Sequence, residues 1–308
     1  YIFMKDKKSI ILYKSLMHYV KDTNHLVELC SKLNKSKFLA IDTEFIREKT
    51  YWPKLCLIQV FNGEDKVIID PLAKELDLKP FFKILSNNEI VKVFHSGRQD
   101  IEIFYNLTKK IPRNIYDTQI AAMVCGFGDS IGYENLVSQL LGKKIDKTSR
   151  LTNWSNRPLS KKQINYAISD VTHLFEVYPL IRDKIINNKR ESWFKEEIKI
   201  LISKKTYDLN PHESWKRLKY RNLNKNSIGI LVELAKWREI KAQEKDVPRG
   251  NIIRDDAIYE LCSAQPKNKG DLNNLRSFNR NRSLKKEFAE EILQIIEKGK
   301  SMKKEKLP

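Results

Sequence analysis

Residues 38–45, FLAIDTEF, run four apolar positions straight into two carboxylates. An apolar run of this length bounded by acids reads as a buried strand whose end opens on a polar site. Side chains alternate along a strand, so Asp42 and Glu44 share one face and Thr43 points to the other. Two anions at that range repel, and one takes up a proton unless a cation lies between them. The end of this strand therefore requires a metal ion, a lysine or arginine partner, or a catalytic role.

The surrounding sequence supplies a sheet for it. LCLIQVF (55–61) and KVIIDP (66–71) are short β-rich runs joined by NGED, a hairpin-like turn. A helix through PFFKILSN leads to another strand, IVKVFH (90–95). Helical spacing of Ile101, Phe104, Tyr105 and Leu107 follows, then a short strand near Ile115. Asp22 or Thr23 is expected to cap an earlier helix with Leu26, Leu29, Cys30 and Leu33 on one face. Consecutive strands followed by strand and helix alternation predict a mixed sheet flanked by helices. Residues 1–16 are expected to lie outside the fold.

Beyond residue 186 no convincing strand remains. A stripe of Ile230, Leu231, Leu234, Ala235 and Trp237, broken at Pro248 and Gly250, begins a small helical domain, with Asp255 expected as a cap and a last helix from Ser283 to Gly299. The predicted division is 17–190 for the sheet domain, 191–225 for a connector and 226–303 for the helical domain. The 58 lysines and arginines against 39 acids give a net charge of +19, which attracts polyanions, nucleic acid before an anionic membrane face. A lysine-biased proteome is the plainer source of that charge. The four cysteines are far apart, with no CxxC pair for zinc or thiol exchange. No apolar stretch approaches the roughly 18 residues of a membrane helix, and the early apolar patch is shorter than the ~7–15 residues of a secretory signal. A cytoplasmic protein is expected.

Two further acids raise the significance of Asp42 and Glu44. Asp100, in HSGRQDIEIF, falls in the opening turn of the helix after the strand ending at His95. Tyr166 and Asp170, in QINYAISDV, stand four apart and share a helix face. Asp170 interrupts the apolar set Ile164, Ala167, Ile168, Val171 and Leu174, a costly place for an unpaired charge. Four carboxylates can hold two divalent cations, and two such ions about 4 Å apart serve phosphodiester hydrolysis. With a reference pKa of about 10, the Tyr166 phenol stays neutral and suits the orientation of a water molecule.

AIDTEF, HSGRQDIEIF and NYAISDV resemble the three motifs of the DEDD superfamily of 3′-to-5′ exonucleases, in the subgroup with tyrosine four before the last aspartate. The histidine subgroup places its histidine five before that aspartate, where this chain has Asn165. REKTYWPKLCLIQV, IYDTQIAA and NWSNRPLSKKQINYAISDV are similar to the ribonuclease D family, and ELAKWREIKAQEKDVPR with LCSAQP is similar to its HRDC domain. The resemblance spans roughly residues 17–300. It implies an α/β, ribonuclease-H-like fold: a mixed five-stranded sheet flanked by helices, followed by a small all-α HRDC domain. It implies two divalent metal ions, Mg²⁺ or Mn²⁺, with Asp42 bridging both, Glu44 and Asp170 completing one, and Asp100 supporting the second through water. Tyr166 would position the nucleophilic water. The implied activity is metal-dependent removal of 5′-mononucleotides from RNA with a free 3′ end, notably tRNA precursors, by a monomer without a membrane.

Each residue also has a plainer reading. Asp42 and Glu44 alone would be a strand-end pair bridged to a cation, Asp100 an ordinary helix-start acid, and Tyr166 a half-buried aromatic. Asp70 and Asp117 read as turn and cap residues, and His95 and His173 as hydrogen-bonded structural histidines. Gln59, Arg98, Trp154 and Arg157 are expected to meet substrate, Trp154 by stacking on a base and the arginines at phosphates; closure over the following helix is the equal alternative for Trp154. Exonuclease action on DNA and an inactive nucleic-acid-binding scaffold are the alternatives.

Overall fold

The computed structural model describes residues 16–146, 148–219, 223–279 and 287–302. The expected N-terminal extension lies, apart from Leu16, outside the described residues. The chain divides into two compact units. One comprises the chain up to Ile46 with Leu55–Lys204; the other comprises Arg47–Lys54 with the chain from Lys205 onward.

In the first unit six strands form one sheet: β1 (Leu16–Val20), β2 (Phe38–Ile46), β3 (Lys54–Phe61), β4 (Asp65–Ile69), β5 (Val91–Phe94) and β6 (Ile115–Asp117). Their order is β1-β4-β3-β2-β5-β6. β3 and β4 are an antiparallel pair, while β2 with β5, β5 with β6 and β1 with β4 are parallel, so the sheet is mixed. Six strands replace the expected five. The additional one is β1, which pairs from Leu16 opposite Asp65 to Val20 opposite Ile69. Its sequence, LMHYV, begins with two exposed apolar residues and buries only Val20 fully. An edge strand of this kind lacks the alternation that marks a half-buried strand.

Helices α1 (Thr23–Leu33), α2 (Lys79–Ser86), α3 (Arg98–Thr108), α4 (Thr118–Val124), α5 (Tyr133–Leu141), α6 (Lys161–Asn187), α7 (Glu191–Leu201) and α8 (Lys204–Tyr207) follow in chain order. Asp22 caps α1 by accepting from the His25 amide at 2.9 Å, and the expected stripe of Leu26, Leu29, Cys30 and Leu33 is buried. The long helix α6 starts at a capping box in which Ser160 and Gln163 satisfy each other's amides. It buries Val171, Leu174, Val177 and Ile181 in a cluster with Ala40 and Val93, and Ala167 and Ile168 in another with Cys56, Leu57 and Ile68. Each such large side chain contributes about 1.5–3 kcal/mol by leaving water, enough to fix α6 in register with the sheet.

The second unit is helical: a 3₁₀ turn at Pro211–Arg217, then α9 (Lys225–Glu244), α10 (Arg249–Ile252), α11 (Asp255–Ala264), α12 (Lys269–Asn274), α13 (Arg276–Asn279) and α14 (Ala289–Lys300). The predicted stripe of α9 forms its core, with the Trp237 ring edge-on to Phe288 at 5.3 Å. α9 and α14 meet backbone to backbone: a Cβ on Gly299 would stand 2.5 Å from the Ile230 Cα, so a side chain there would force the helices apart. Asp255 occupies the first turn of α11 with Arg254 at the cap position, and its carboxylate accepts from Arg238 at 2.5 Å. The expected start of the last helix near Ser283 lies outside the described residues. No helix among the described residues is long and apolar enough to cross a membrane.

Candidate active site

The parallel strands β2, β5 and β6 place their carboxyl ends side by side, with Ala40 opposite Val93 and Phe94 opposite Asp117. Asp42 and Glu44 follow Ala40 on β2. The carboxyl ends of strands, at a change of strand order, are where open α/β sheets form sites.

The turn after β5 brings in Asp100. Asp117 accepts from the Gly97 amide at 2.7 Å and the Ser96 amide at 3.2 Å, and also caps α4 through the Gln119 and Ile120 amides. Ser96 has φ of 55°, and a Cβ on Gly97 would lie 2.6 Å from that of Phe94, so the turn requires a glycine by close approach. α3 then begins at Arg98 and buries Asp100 in its first turn, where the helix dipole favours an anion. Thr43, on the strand face away from Asp42 and Glu44, donates its hydroxyl to Asp100 Oδ1 at 2.5 Å. The sequence reading assigned Thr43 no function, and the alternation that turned it away from the other two acids is what directs it at the third.

Helix α6 contributes Tyr166 and Asp170 from one face. One carboxylate oxygen each from Asp42, Glu44 and Asp170 lie within 4.8 Å of one another. Burial raises all four carboxyls above the ordinary range, and mutual repulsion adds to it for Asp42 and Glu44. Asp42 is pushed well up, next by Asp100 and Asp170; Glu44 is pushed up to about 9, next by Asp170 and Asp100. Asp170 rises to about 7 by burial, with a hydrogen bond from Tyr166 and the charge of Arg150 opposing, and Asp100 to about 6 by burial, opposed by Thr43. Asp170 Oδ1 is buried without a hydrogen-bond partner among the described residues. A buried, unpartnered carboxylate oxygen facing two more carboxylates is what a hard divalent cation satisfies, and the residues fit such an ion.

The Tyr133 hydroxyl, at the start of α5, donates to the main-chain carbonyl of Asp170 and anchors that turn of α6. Its ring packs 5.1 Å from that of His95, whose Nδ1 lies 3.0 Å from Thr118 Oγ1. Arg150, exposed and without an ion-pair partner among the described residues, is the cation that acts on Glu44 and Asp170. Neither Tyr133 nor Arg150 had a signal of its own, since each stands in a separate segment and acts only through folded proximity.

The expected substrate residues are placed differently. Gln59 is 0% exposed in β3, and Trp154 is 2% exposed in the cluster with Ala167 and Ile168, its ring 6.1 Å from that of Tyr166. Trp154 offers no open face to a base. Arg157 is bidentate to Asp70 at 2.7 Å for both contacts and also donates to the Cys56 carbonyl. Asp70 accepts from Tyr19 and the Leu72 amide as well, so this arginine and acid tie a loop to the sheet. Arg98 alone of the four is exposed, at the start of α3 two residues before Asp100.

Thr43→Val keeps the shape of the residue and removes the hydroxyl from Asp100. The expected result is a loss of about 10-fold in catalytic rate, the lower range for an outer partner of a metal-site carboxylate, with Asp100 moving further up. Rate measured against pH checks it, and the variant's rise is expected at higher pH than that of the parent.

A 3′-5′ exonuclease family model matches residues 17–186, and an HRDC domain model matches residues 227–296. The chain is 46% identical over 269 residues to ribonuclease D of Bartonella henselae, covering 87% of this chain and 66% of that protein. It is 40% identical over 292 residues to ribonuclease D of Nitrobacter hamburgensis, covering 95% of this chain and 76% of that one. The chain thus spans about two thirds to three quarters of these relatives. Among solved structures it is similar to Escherichia coli RNase D, described as an exoribonuclease involved in structured RNA processing, with a TM-score of 0.87 at 28% identity over 95% of this chain and 77% of that one.

Proposed function

The chain belongs to the ribonuclease D family of 3′-5′ exonucleases, and from that premise we propose that it hydrolyses RNA from free 3′ ends, tRNA precursors among them, releasing 5′-mononucleotides. The observation that carries this reading is the convergence of Asp42, Glu44 and Asp170 from a strand and a helix to within one coordination shell. Asp100 and Tyr166 border that cluster and repel or bond to it.

Divalent ions, Mg²⁺ or Mn²⁺, would be held by Asp42, Glu44 and Asp170, with Asp100 serving a second ion beside Asp42. When bound, they supply a water nucleophile at neutral pH and stabilise charge on both oxygens of the phosphodiester. To hold such ions, Asp42, Glu44 and Asp170 would have to be ionised. The Tyr166 phenol stays protonated, because burial and then Asp170 and Glu44 push its pKa further up. Its hydroxyl fixes the direction from which a water approaches the scissile phosphate, and it holds Asp170. Arg150 balances the acids from the solvent side and presents a charge to the RNA backbone. The basic excess of the whole chain favours such a polyanion. Four free, buried cysteines fit a reducing, cytoplasmic setting, and a monomer is sufficient for the chemistry.

The test is the product spectrum from a 3′-labelled tRNA precursor with its 3′ extension, with and without chelator. Parallel single-stranded RNA and DNA are run beside it. Metal-dependent release of 5′-mononucleotides from RNA is expected. Trimming that persists with chelator, or that Asp170→Asn leaves intact, overturns the site assignment. Preference for the DNA would move the substrate, and tight RNA binding without mononucleotide release would make the protein a binding scaffold.

A further inference from the structure

Within the sheet unit, the segment that joins α5 to α6 and the first turn of α6 enclose a pocket of about 310 Å³. Hydroxyls and amides line it, with Lys162 as the cation and no carboxylate among the described residues. Some of these groups already satisfy one another. Thr152 donates to the Ser149 carbonyl at 2.7 Å and accepts from Gln163 at 3.1 Å, and the Asn153 side chain accepts from Ser155. Ser149 is different: it is 5% exposed, it lines the pocket, and its hydroxyl has no partner among the described residues. A buried hydroxyl without a partner is costly, so one that faces a pocket points to a ligand. The Asn156 amide lines the same pocket and is also unpaired. The capping box of the 27-residue helix α6 satisfies the Ser160 and Gln163 amides and leaves those of Lys161 and Lys162 open. Unpaired amides and the helix dipole favour an anion there. Asp146, the acid on which Lys162 acts, is fully exposed, and its carboxylate is engaged by the Thr148 amide and hydroxyl.

We propose that this pocket is a phosphate subsite, in which Ser149, Lys162 and the first turn of α6 hold one backbone phosphate of the RNA upstream of the scissile bond. Its place on α6 fits that role. Gln163 and Asp170 stand seven apart on one face, about 10 Å along the helix axis. Arg150, the residue after Ser149, is the cation that acts on Glu44 and Asp170. A strand whose 3′ end lies at the acids therefore reaches the pocket within a few nucleotides. Phosphate contacts fix register without reading sequence, so the subsite would hold the strand whatever its bases. The inference rests on reading the acidic cluster as a 3′-5′ exonuclease site.

The test measures binding of a 5′-labelled single-stranded RNA to the full chain in chelator, where no hydrolysis intervenes, for wild type, Ser149→Ala and Lys162→Gln. The RNA is prepared with each of its last few internucleotide phosphates replaced in turn by a neutral methylphosphonate. Wild type is expected to lose about 10-fold in affinity at one linkage upstream of the scissile one, the effect of a hydrogen bond to a charged group. Ser149→Ala should bind the unmodified RNA about 10-fold more weakly and be insensitive to that linkage. Lys162→Gln should do the same and lower the salt slope by about 0.7, one phosphate's share on a single strand. The Tm of Ser149→Ala should not fall, because its hydroxyl has no partner to lose. Wild-type affinity in both variants overturns the proposal, as does a loss spread evenly over all linkages or an RNA that wild type does not bind. Inorganic phosphate at matched ionic strength should compete weakly and equally in all three proteins; competition that the variants lose would make free phosphate the ligand and overturn the RNA assignment. A wild-type chain that shows the linkage effect but releases no nucleotide with Mn²⁺ would refute the exonuclease reading and leave the subsite standing.

Discussion

Asp42→Asn is expected to abolish hydrolysis and at the same time to make the metal-free protein more stable at pH 8. The loss of rate is expected at about 10³-fold or beyond, the upper range for removing a preorganised electrostatic element, because the residue faces Glu44, Asp100 and Asp170 together. The gain in stability has a separate origin. In the metal-free chain all four carboxyls are held above the ordinary carboxylate range, Asp100 at about 6, Asp170 at about 7, Glu44 at about 9 and Asp42 well up, chiefly by burial. The folded state therefore binds more protons than the unfolded chain between pH 4 and 9. A group raised in this way contributes fully below its unfolded pKa, and that contribution is lost as pH rises through the folded values.

Chelated wild-type protein should accordingly melt at falling temperature as pH rises across that window. Asp42→Asn, with one fewer charge in the cluster, should fall less, and the two curves should meet near pH 5. For a unit of this size each kcal/mol of relieved repulsion is worth about 2–4 °C in Tm. Mn²⁺ should raise the wild-type Tm most at high pH, where fewer protons must leave, and should do little for the variant. Melting curves with chelator and with Mn²⁺ at pH 5 and pH 8 check all of this. An Asp42→Asn protein that melts below wild type at pH 8 in chelator would show that no charge strain is stored there.

Much of the site was legible because its spacing is local. Strand alternation fixed Asp42 and Glu44 on one face, the i, i+4 rule fixed Tyr166 and Asp170 on another, and an acid in the first turn of a helix marked Asp100. What joins these pairs is tertiary. The approach of Tyr133 and Arg150 depends on loops whose path no periodicity sets. Gln59, Trp154 and Arg157 read as substrate contacts because polar and aromatic residues near motif acids suggest it, and their depth in the fold is set by tertiary packing that no local spacing shows. Gln59 is buried in β3, Trp154 packs behind α6 and Arg157 pairs with Asp70. The edge strand β1 lacked alternation. Least visible of all was the placement of Tyr51: REKTYW stands out only through its resemblance to the family, and the fold puts this ring among helices nearly two hundred residues away in sequence.

Tyr166→Phe isolates what a single hydroxyl does. The ring keeps its packing beside Trp154, so folding is expected to be unchanged, and the four carboxylates keep their oxygens. Burial and then Asp170 and Glu44 push the phenol up, so it is protonated at every working pH and cannot act as the base. On the proposed reading its contribution is direction: it would hold a water along the line of attack, while its hydrogen bond keeps Asp170 lower than burial alone would set it. Misplacing a nucleophile by about 1 Å costs on the order of 10²-fold, and kcat should fall by that much with KM for RNA unchanged. Without the donated bond Asp170 moves further up, so the pH at which the residual rate reaches half its maximum should shift upward. Excess Mn²⁺ should correct that shift, because the ion competes with the proton at Asp170, yet it should leave the 10²-fold deficit in place at high pH. If added metal restores the full rate, the hydroxyl serves only to tune Asp170, and water orientation must be assigned to another group.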